Sequence, residues 1–381
     1  MKTKIGYSNH KLAFTSSIEA ASMANIKEAK LGLVFTSPNQ EQDQIIKGIK
    51  SLTNTPIIGC TSSMAIMTHH SYENEKTGYT GIITFSGDIV VGVAGKEKRN
   101  MENPREIGKE LALEALKEMK GEKPNHFFMT ATPGDEEEYM QGIQDIIGSV
   151  PVFGGTAADN DVSGNWKIIC ENRVISDGCA VALIKSDTEI VNVLENGYNE
   201  TGQAGIITGV HERRELKSID NVDALRKYSE WTKFNEDDLM GNKILSESIF
   251  DPLGVKDPIG RLIAIRHPMF AKSDGTINVG GDLVTNTAII HMNMEPRDML
   301  ESIKTTIEEL GDCDSYFLVH CGGRRLGLSM KGLEQEIFNK VKEVTKDKEV
   351  LMVFTFGEYG TYDHSANTVG GLSLSFTGFK E

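Results

Sequence analysis

The sequence predicts an α/β protein: a duplicated α-β-α-β-meander N-terminal domain with mixed sheets, followed by a C-terminal α/β domain. Three observations predict it. Short apolar runs end at glycines followed by small polar residues, as in Val150-Pro151-Val152-Phe153-Gly154-Gly155-Thr156-Ala157-Ala158-Asp159-Asn160 and Thr55-Pro56-Ile57-Ile58-Gly59-Cys60-Thr61-Ser62-Ser63. Buried strands opening into tight loops read this way. Between such runs, apolar residues recur at helical spacing. Pro56 and Pro151 lie 95 positions apart, as do Pro38 and Pro133, and the offset slips to 94 at Gly48-Ile49 against Gly142-Ile143. That spacing marks a duplicated unit.

Composition bounds the function. The 381 residues suit two or three domains, with 39% hydrophobic and 25% charged residues. Forty basic against fifty-five acidic residues give a net charge of −15, which argues against nucleic acid or an anionic membrane as the main partner. Met1-Lys2-Thr3-Lys4 is basic, but no uninterrupted apolar segment follows it. No apolar run approaches the roughly 20 residues needed to span a bilayer. Five cysteines without a CxxC pair read as reduced thiols in a cytoplasmic protein.

In order, the first repeat (about 1–100) begins with a strand at Lys4–Ser8 and a helix near Ser16–Glu28. A strand at Leu33–Thr36 and a helix at Gln40–Leu52 follow, the helix burying Ile45, Ile46, Ile49 and Leu52. After the first motif loop, Gly81–Phe85 and Ile89–Val93 read as a hairpin across Ser86-Gly87-Asp88. The second repeat (101–205) opens on a helix capped by Asn103, with Pro104 in its first turn and Glu106 as the capping-box carboxylate. Ile107, Leu111, Ala115 and Met119 form that helix's buried face. Phe127–Thr130 is a strand, and Asp135–Glu138 an acidic helix start favoured by the dipole. Strands at Trp166–Glu171, Cys179–Ile184 and Glu189–Leu194 complete the repeat. The two repeats are expected to pair about a pseudo-twofold axis with their motif loops facing.

A polar stretch from about Gly205 to Asp223 separates the C-terminal domain (206–381). There, Asp223–Tyr228 starts a short amphipathic helix, and Leu262–Ile265, Ile277–Val279 and Ala288–Met292 read as strands. Pro296–Leu310 is a helix with Met299, Ile303, Ile307 and Leu310 on one face. The strand Tyr316–His320 runs into Cys321-Gly322-Gly323-Arg324-Arg325. A helix at Glu334–Val344 precedes the strand Val350–Phe356, which ends in Gly357-Glu358-Tyr359-Gly360, and Gly371–Phe376 is the last strand.

The candidate ligand-binding residues are Cys60, Thr61, Ser62, Gly154, Gly155, Thr156, Asp159, Asn160, Arg324, Arg325 and Glu358. Short hydroxyls and amides supply donors and acceptors. Arg324 and Arg325 offer a bidentate clamp for a carboxylate, or an interface salt bridge to Glu358. Tight packing alone also accounts for the glycines. Cys60 ends a strand among hydroxyls, yet no His or acid is tied to it in the sequence, so an inert buried thiol is the simpler reading. His69-His70 sit in a polar loop, and no His/Cys/Asp spacing resembles a zinc site.

Several of these pieces, in this order, resemble the FIST (F-box and intracellular signal transduction) family. They are Ile58–Ser63, Phe153–Asp159, Asn196-Gly197-Tyr198, Cys321–Arg325, Phe356–Gly360 and, loosely, His364-Ser365-Ala366-Asn367-Thr368. The resemblance covers an N-terminal FIST domain near 25–205 and a C-terminal one near 220–375. Where the family commonly carries an acidic residue after its first Gly-Cys loop, this chain has Met64-Ala65-Ile66-Met67. The resemblance implies a non-catalytic sensor for a small-molecule ligand, an amino acid among the candidates. Its signal would leave through a separate protein such as a histidine kinase. A haem-binding nitric-oxide sensor is the first alternative, and a hydrolase or transferase using Cys60 or Cys321 the second.

Overall fold

The computed structural model describes residues 1–74, 78–361 and 366–381. One recipe of elements recurs three times. The first unit runs strand Lys2–Ser8, helix Ala13–Met23, strand Leu31–Thr36, helix Gln42–Lys50, strand Ile57–Thr61, strands Ala65–Thr68 and Tyr72–Asn74, and strand Thr80–Ser86. The second repeats it as Ile89–Glu97, Pro104–Glu118, His126–Ala131, Glu136–Ile147, Val152–Gly155, Ile168–Cys170 with Arg173–Ile175, and Gly178–Ser186. The third is Glu189–Glu195, Pro296–Leu310, Ser315–Cys321, Glu334–Thr345, Glu349–Thr355, Glu358–Thr361 with Asn367–Gly370, and Leu374–Lys380. It carries two additions: a segment spanning 196–295 and the helix Gly322–Met330.

Each unit builds four strands of a six-stranded sheet and receives the last two from another unit. The hairpin of unit two pairs with unit one, Ile168 opposite Cys60. The hairpin of unit three pairs with unit two, Glu358 opposite Gly155. The hairpin of unit one pairs with unit three, Ile66 opposite Val353. The exchange is cyclic. The inner faces of the three sheets meet in a common apolar centre, where Phe35 stacks on Phe317 at 5.2 Å and Phe153 packs edge-on against Phe128 at 5.6 Å. A helix pair covers each outer face, with Ile45 and Ile49, Leu111 and Ile143, and Ile303 and Ile337 as their buried anchors.

The duplication is therefore two parts of a threefold arrangement, and the expected twofold pairing is corrected to a three-membered ring. Two further corrections follow from it. The expected hairpin across Ser86-Gly87-Asp88 does not form. Thr80–Ser86 pairs with Lys2–Ser8 and Leu31–Thr36, while Ile89–Glu97 pairs with Gly178–Ser186 in another sheet. The turn is the passage between units. Strand Glu189–Glu195, grouped by sequence with the N-terminal part, pairs with Leu374–Lys380 and opens the third unit. Asn103 caps its helix through Arg105 N (2.9 Å), but Glu106 binds Lys109 (2.7 Å) and does not close a capping box.

Gly59 and Gly154 occupy equivalent places, facing Val34 and Met129 across parallel strand pairs. A Cβ on Gly154 (φ +134°) would lie 2.1 Å from the Met129 carbonyl oxygen, and one on Gly59 would lie 1.8 Å from that of Val34. No side chain fits so close an approach.

The added segment folds around its own core of Leu216, Ile219, Tyr228 and Ile277, with strands ordered Leu262–Arg266, Leu253–Lys256, Ala288–Asn293, Asn199–His211, Glu215–Ile219, Ile277–Val279 and Pro268–Ala271. It is fastened to unit two at the acidic start of helix Glu136–Ile147. Arg214 reaches Glu136 (2.6 Å), Glu137 (2.6 Å) and Asp282 (2.9 Å), and Arg213 pairs with Asp135. The acidic run thus grips the insert as well as favouring the helix dipole.

Candidate functional site

At the carboxyl ends of the parallel strands, the three units and the insert enclose a cavity of about 180 Å³. Strand ends are where α/β sheets commonly bind ligands, because backbone polar groups there have no ladder partner. Unit one contributes Ser63 and Met64, unit two Asn160, and unit three Cys321, Gly322, Gly323, Arg325 and Phe356. The insert closes the far side with Leu245, His267 and Met269. The units are stitched together at this end. Met64 N donates to Asn160 Oδ1 (2.7 Å), and Ser63 N to the Phe354 carbonyl (2.8 Å).

Arg325 is the cavity's cation. It is only 6% exposed, and the protein engages just two of its three nitrogens. Its Nε and Nη2 donate to the Tyr72 hydroxyl (3.2 and 2.8 Å), and Nη2 also meets Glu334. Among the described residues, Nη1 makes no hydrogen bond. Glu334, also at the cavity wall, accepts from Ser329 Oγ (2.9 Å) and Tyr72. Burial opposes ionisation of Glu334, but the bonds from Tyr72 and Ser329 and the charge of Arg325 outweigh it and hold the carboxyl below its ordinary value. His267 donates Nε2–H to the Leu245 carbonyl (2.8 Å), the arrangement a carbonyl partner requires. Burial lowers its pKa to about 4, so the ring is neutral near pH 7.

The expected site residues divide. Arg325 and Asn160 line the cavity, and Cys321 joins them. Arg324 does not: it is fully buried and donates to the carbonyls of Asn196 (2.6 Å), Leu372 (3.2 Å) and Met299 (3.1 Å) and to Ser302 Oγ (2.6 Å). It ties unit three to the start of the insert and forms no ion pair with Glu358 among the described residues. The paired clamp is thus corrected to a single arginine. Cys60 lies in the common core, where burial pushes its thiol up to about 12. Thr61 Oγ1 accepts from Lys167 N (3.0 Å), and Ser62 Oγ accepts from Phe354 N (2.9 Å) while donating to the Ala65 carbonyl (2.6 Å). Thr156 Oγ1 bonds the Tyr359 hydroxyl (2.8 Å). The carboxylate of Asp159 accepts from the amides of Val162 (2.6 Å), Gly164 and Asn165 (both 2.8 Å), folding its own loop. Gly154 and Gly155 are packed between strands. Glu358 is fully buried and accepts from Thr355 Oγ1 and Ser373 N (both 3.1 Å), one layer behind Cys321. None of these residues lines the cavity.

Residues 30–222 match the FIST N domain and residues 224–361 the FIST C domain. The chain belongs to the FIST family. FIST domains are sensor domains of signal transduction, and the junction of the two matched regions falls inside the insert of this FIST protein, at Val222–Asp223. An uncharacterised protein of Methanocaldococcus jannaschii is 22% identical over 220 residues, covering 53% of this chain and 41% of that protein. The match spans less than half of that relative. Of the family's C-terminal element, His364 and Ser365 lie outside the described residues. Asn367 is seen to brace the second repeat, donating to the Val150 carbonyl (2.7 Å). Among the described residues no helix is long and apolar enough to cross a membrane.

His267, Ser329, Glu334 and Tyr72 are the polar groups that sequence reasoning missed. Tyr72 and Glu334 are 262 positions apart, and only the exchange of the unit-one hairpin brings them together. No local signal marks such a pair.

Proposed function

We propose that this protein is a cytoplasmic, non-catalytic sensor that binds a small carboxylate, an amino acid among the candidates, in the cavity at the strand ends. It passes the signal to a separate protein, such as a histidine kinase. The observation that carries the reading is Arg325, a buried guanidinium with Nη1 unused beside a confined space. A buried cation with open donors favours an anion that completes its hydrogen bonds. Glu334 next to it supplies the opposite charge, which suits the ammonium of a zwitterion. Phe356, Leu326 and Leu372 leave room for an apolar side chain.

Size supports a small ligand. A cavity of about 180 Å³ is only slightly larger than the roughly 150 Å³ that accommodates benzene. A space of this size favours a small ligand over a porphyrin. All five cysteines are buried and unbridged, which suits a cytoplasmic setting. The insert forms one wall of the cavity, so an occupant touches two bodies at once and can shift one against the other.

Calorimetry against amino acids and simple carboxylates tests this. Binding to the parent is expected to weaken roughly 10- to 100-fold in Arg325→Gln, the effect of one charge-assisted hydrogen bond, and to change little in Arg325→Lys where charge alone suffices. A panel with no binder, or an Arg325→Gln variant that binds as well as the parent, contradicts the reading.

A further inference from the structure

We propose that Met64, Val162 and Leu372 are the specificity-determining residues of the cavity, selecting a carboxylate ligand with an aliphatic side chain, an amino acid of about leucine's size. The inference rests on the carboxylate reading of Arg325 and adds what the rest of the ligand must be. The observation behind it lies in the backbone. Among the described residues, the apolar side chains on left-handed backbone are Met64 (φ 65°), Met101 (φ 69°), Val162 (φ 59°) and Leu372 (φ 49°). Met101 stands free in solvent, whereas the other three all line the cavity. Each comes from a different unit. Met64 follows strand Ile57–Thr61, Val162 follows Val152–Gly155, and Leu372 precedes Leu374–Lys380.

Left-handed backbone crowds Cβ against a carbonyl oxygen, so glycine, asparagine or aspartate normally fills such a position. A β-branched side chain suits it worst, which makes Val162 the most strained of the three. Were the turn alone required, glycine would supply it without steric cost. An apolar side chain kept there against that cost points to a use for the side chain itself. Packing within the protein does not account for Val162, because it is 47% exposed. Leu372 also belongs to the core of unit three and forms a wall shared by core and cavity.

Each strained backbone is pinned by a polar side chain. Val162 N donates to the Asp159 carboxylate (2.6 Å), and Met64 N donates to Asn160 Oδ1 (2.7 Å). The Leu372 carbonyl accepts from Arg324 Nη1 (3.2 Å). Asp159, Asn160 and Arg324 are residues whose sequence context suggested a ligand site. Their part is to fix the backbones that present three apolar side chains to the occupant. A cavity of about 180 Å³, against the roughly 150 Å³ that accommodates benzene, leaves space for a small aliphatic side chain beyond the carboxylate.

Calorimetry with alanine, leucine and glutamate tests the selection. The parent is expected to bind leucine roughly 10- to 100-fold tighter than alanine, since each added methylene in an apolar pocket contributes severalfold. Val162→Gly and Met64→Gly should each cut that ratio roughly 10-fold. Both variants should melt at or above the parent's temperature, because glycine adopts the left-handed backbone without strain. Side chains that serve only packing give the opposite pattern, a lower melting temperature with the leucine-to-alanine ratio kept. That pattern overturns the proposal. Val162→Asn, which tolerates the same backbone but presents an amide, is the second variant and should lower the ratio as well. Equal affinity of the parent for leucine and alanine, or a preference for glutamate, overturns the selection and leaves the carboxylate site standing. Binding of none of the three, nor of any simple carboxylate, removes both readings.

Discussion

Two adjacent arginines have opposite fates, and the reason is geometric. Successive residues on a helix point about 100° apart, so Arg324 turns under helix Pro296–Leu310 while Arg325 turns to the cavity. A sequence shows two cations after two glycines and cannot divide their labour. The glycines themselves were legible, because each follows an apolar run and precedes small polar residues. Their service is to packing: Gly154 Cα sits where a Cβ would meet the Met129 carbonyl at 2.1 Å. Gly154→Val is therefore expected to destabilise the fold by more than about 1 kcal/mol, since overpacking in a close-packed core costs about 1–3 kcal/mol. Chemical denaturation measures it; a variant with the parent's midpoint would show that the strands part at little cost. The missed polar groups had no such punctuation. Tyr72 and Glu334 carry no spacing signal, and their meeting depends on which sheet a distant hairpin joins.

At the scale of elements, strands and helices were read from periodicity, but their partners were not. The first two units place facing residues of the parallel strands 25 positions apart, as Gly32 faces Ile57 and Phe127 faces Val152. In the third unit Ser315 faces Glu349, 34 positions on. The difference equals the nine residues of helix Gly322–Met330, which is the element that carries Arg325. That insertion hid the third repeat and built the site. The segment 196–295 hid it further by parting strand Glu189–Glu195 from helix Pro296–Leu310. Arg214 is the insert's main fastening; without it Glu136 loses its ion pair, while Glu137 keeps Arg266 and Asp282 keeps Arg213. Arg214→Ala is expected to cost roughly 3–5 kcal/mol where that buried group is broken and to speed proteolysis within 196–295. A variant with the parent's melting curve and cleavage pattern would mean that the insert is held by its apolar contacts alone.

For the whole molecule, the cyclic exchange of hairpins makes the three units interdependent, and their strand ends converge on one cavity. The insert reaches both that cavity and the fastening on unit two through the same short segments: His267 lines the cavity while Arg266 binds the Asp282 carbonyl (2.9 Å), and Asp282 holds Arg214. An occupant that moves the insert at one end thus loads the ionic contacts at the other, which is a physical route from ligand to surface. The central claim is that this cavity, and no other place on the molecule, receives a small carboxylate through Arg325. Electron density from crystals grown with the best carboxylate of the calorimetric panel tests it most directly. The account predicts density for one small molecule beside Gly323, with its carboxylate on Arg325 Nη1. A ligand seated elsewhere, or in the cavity with its carboxylate turned away from Arg325, would contradict it.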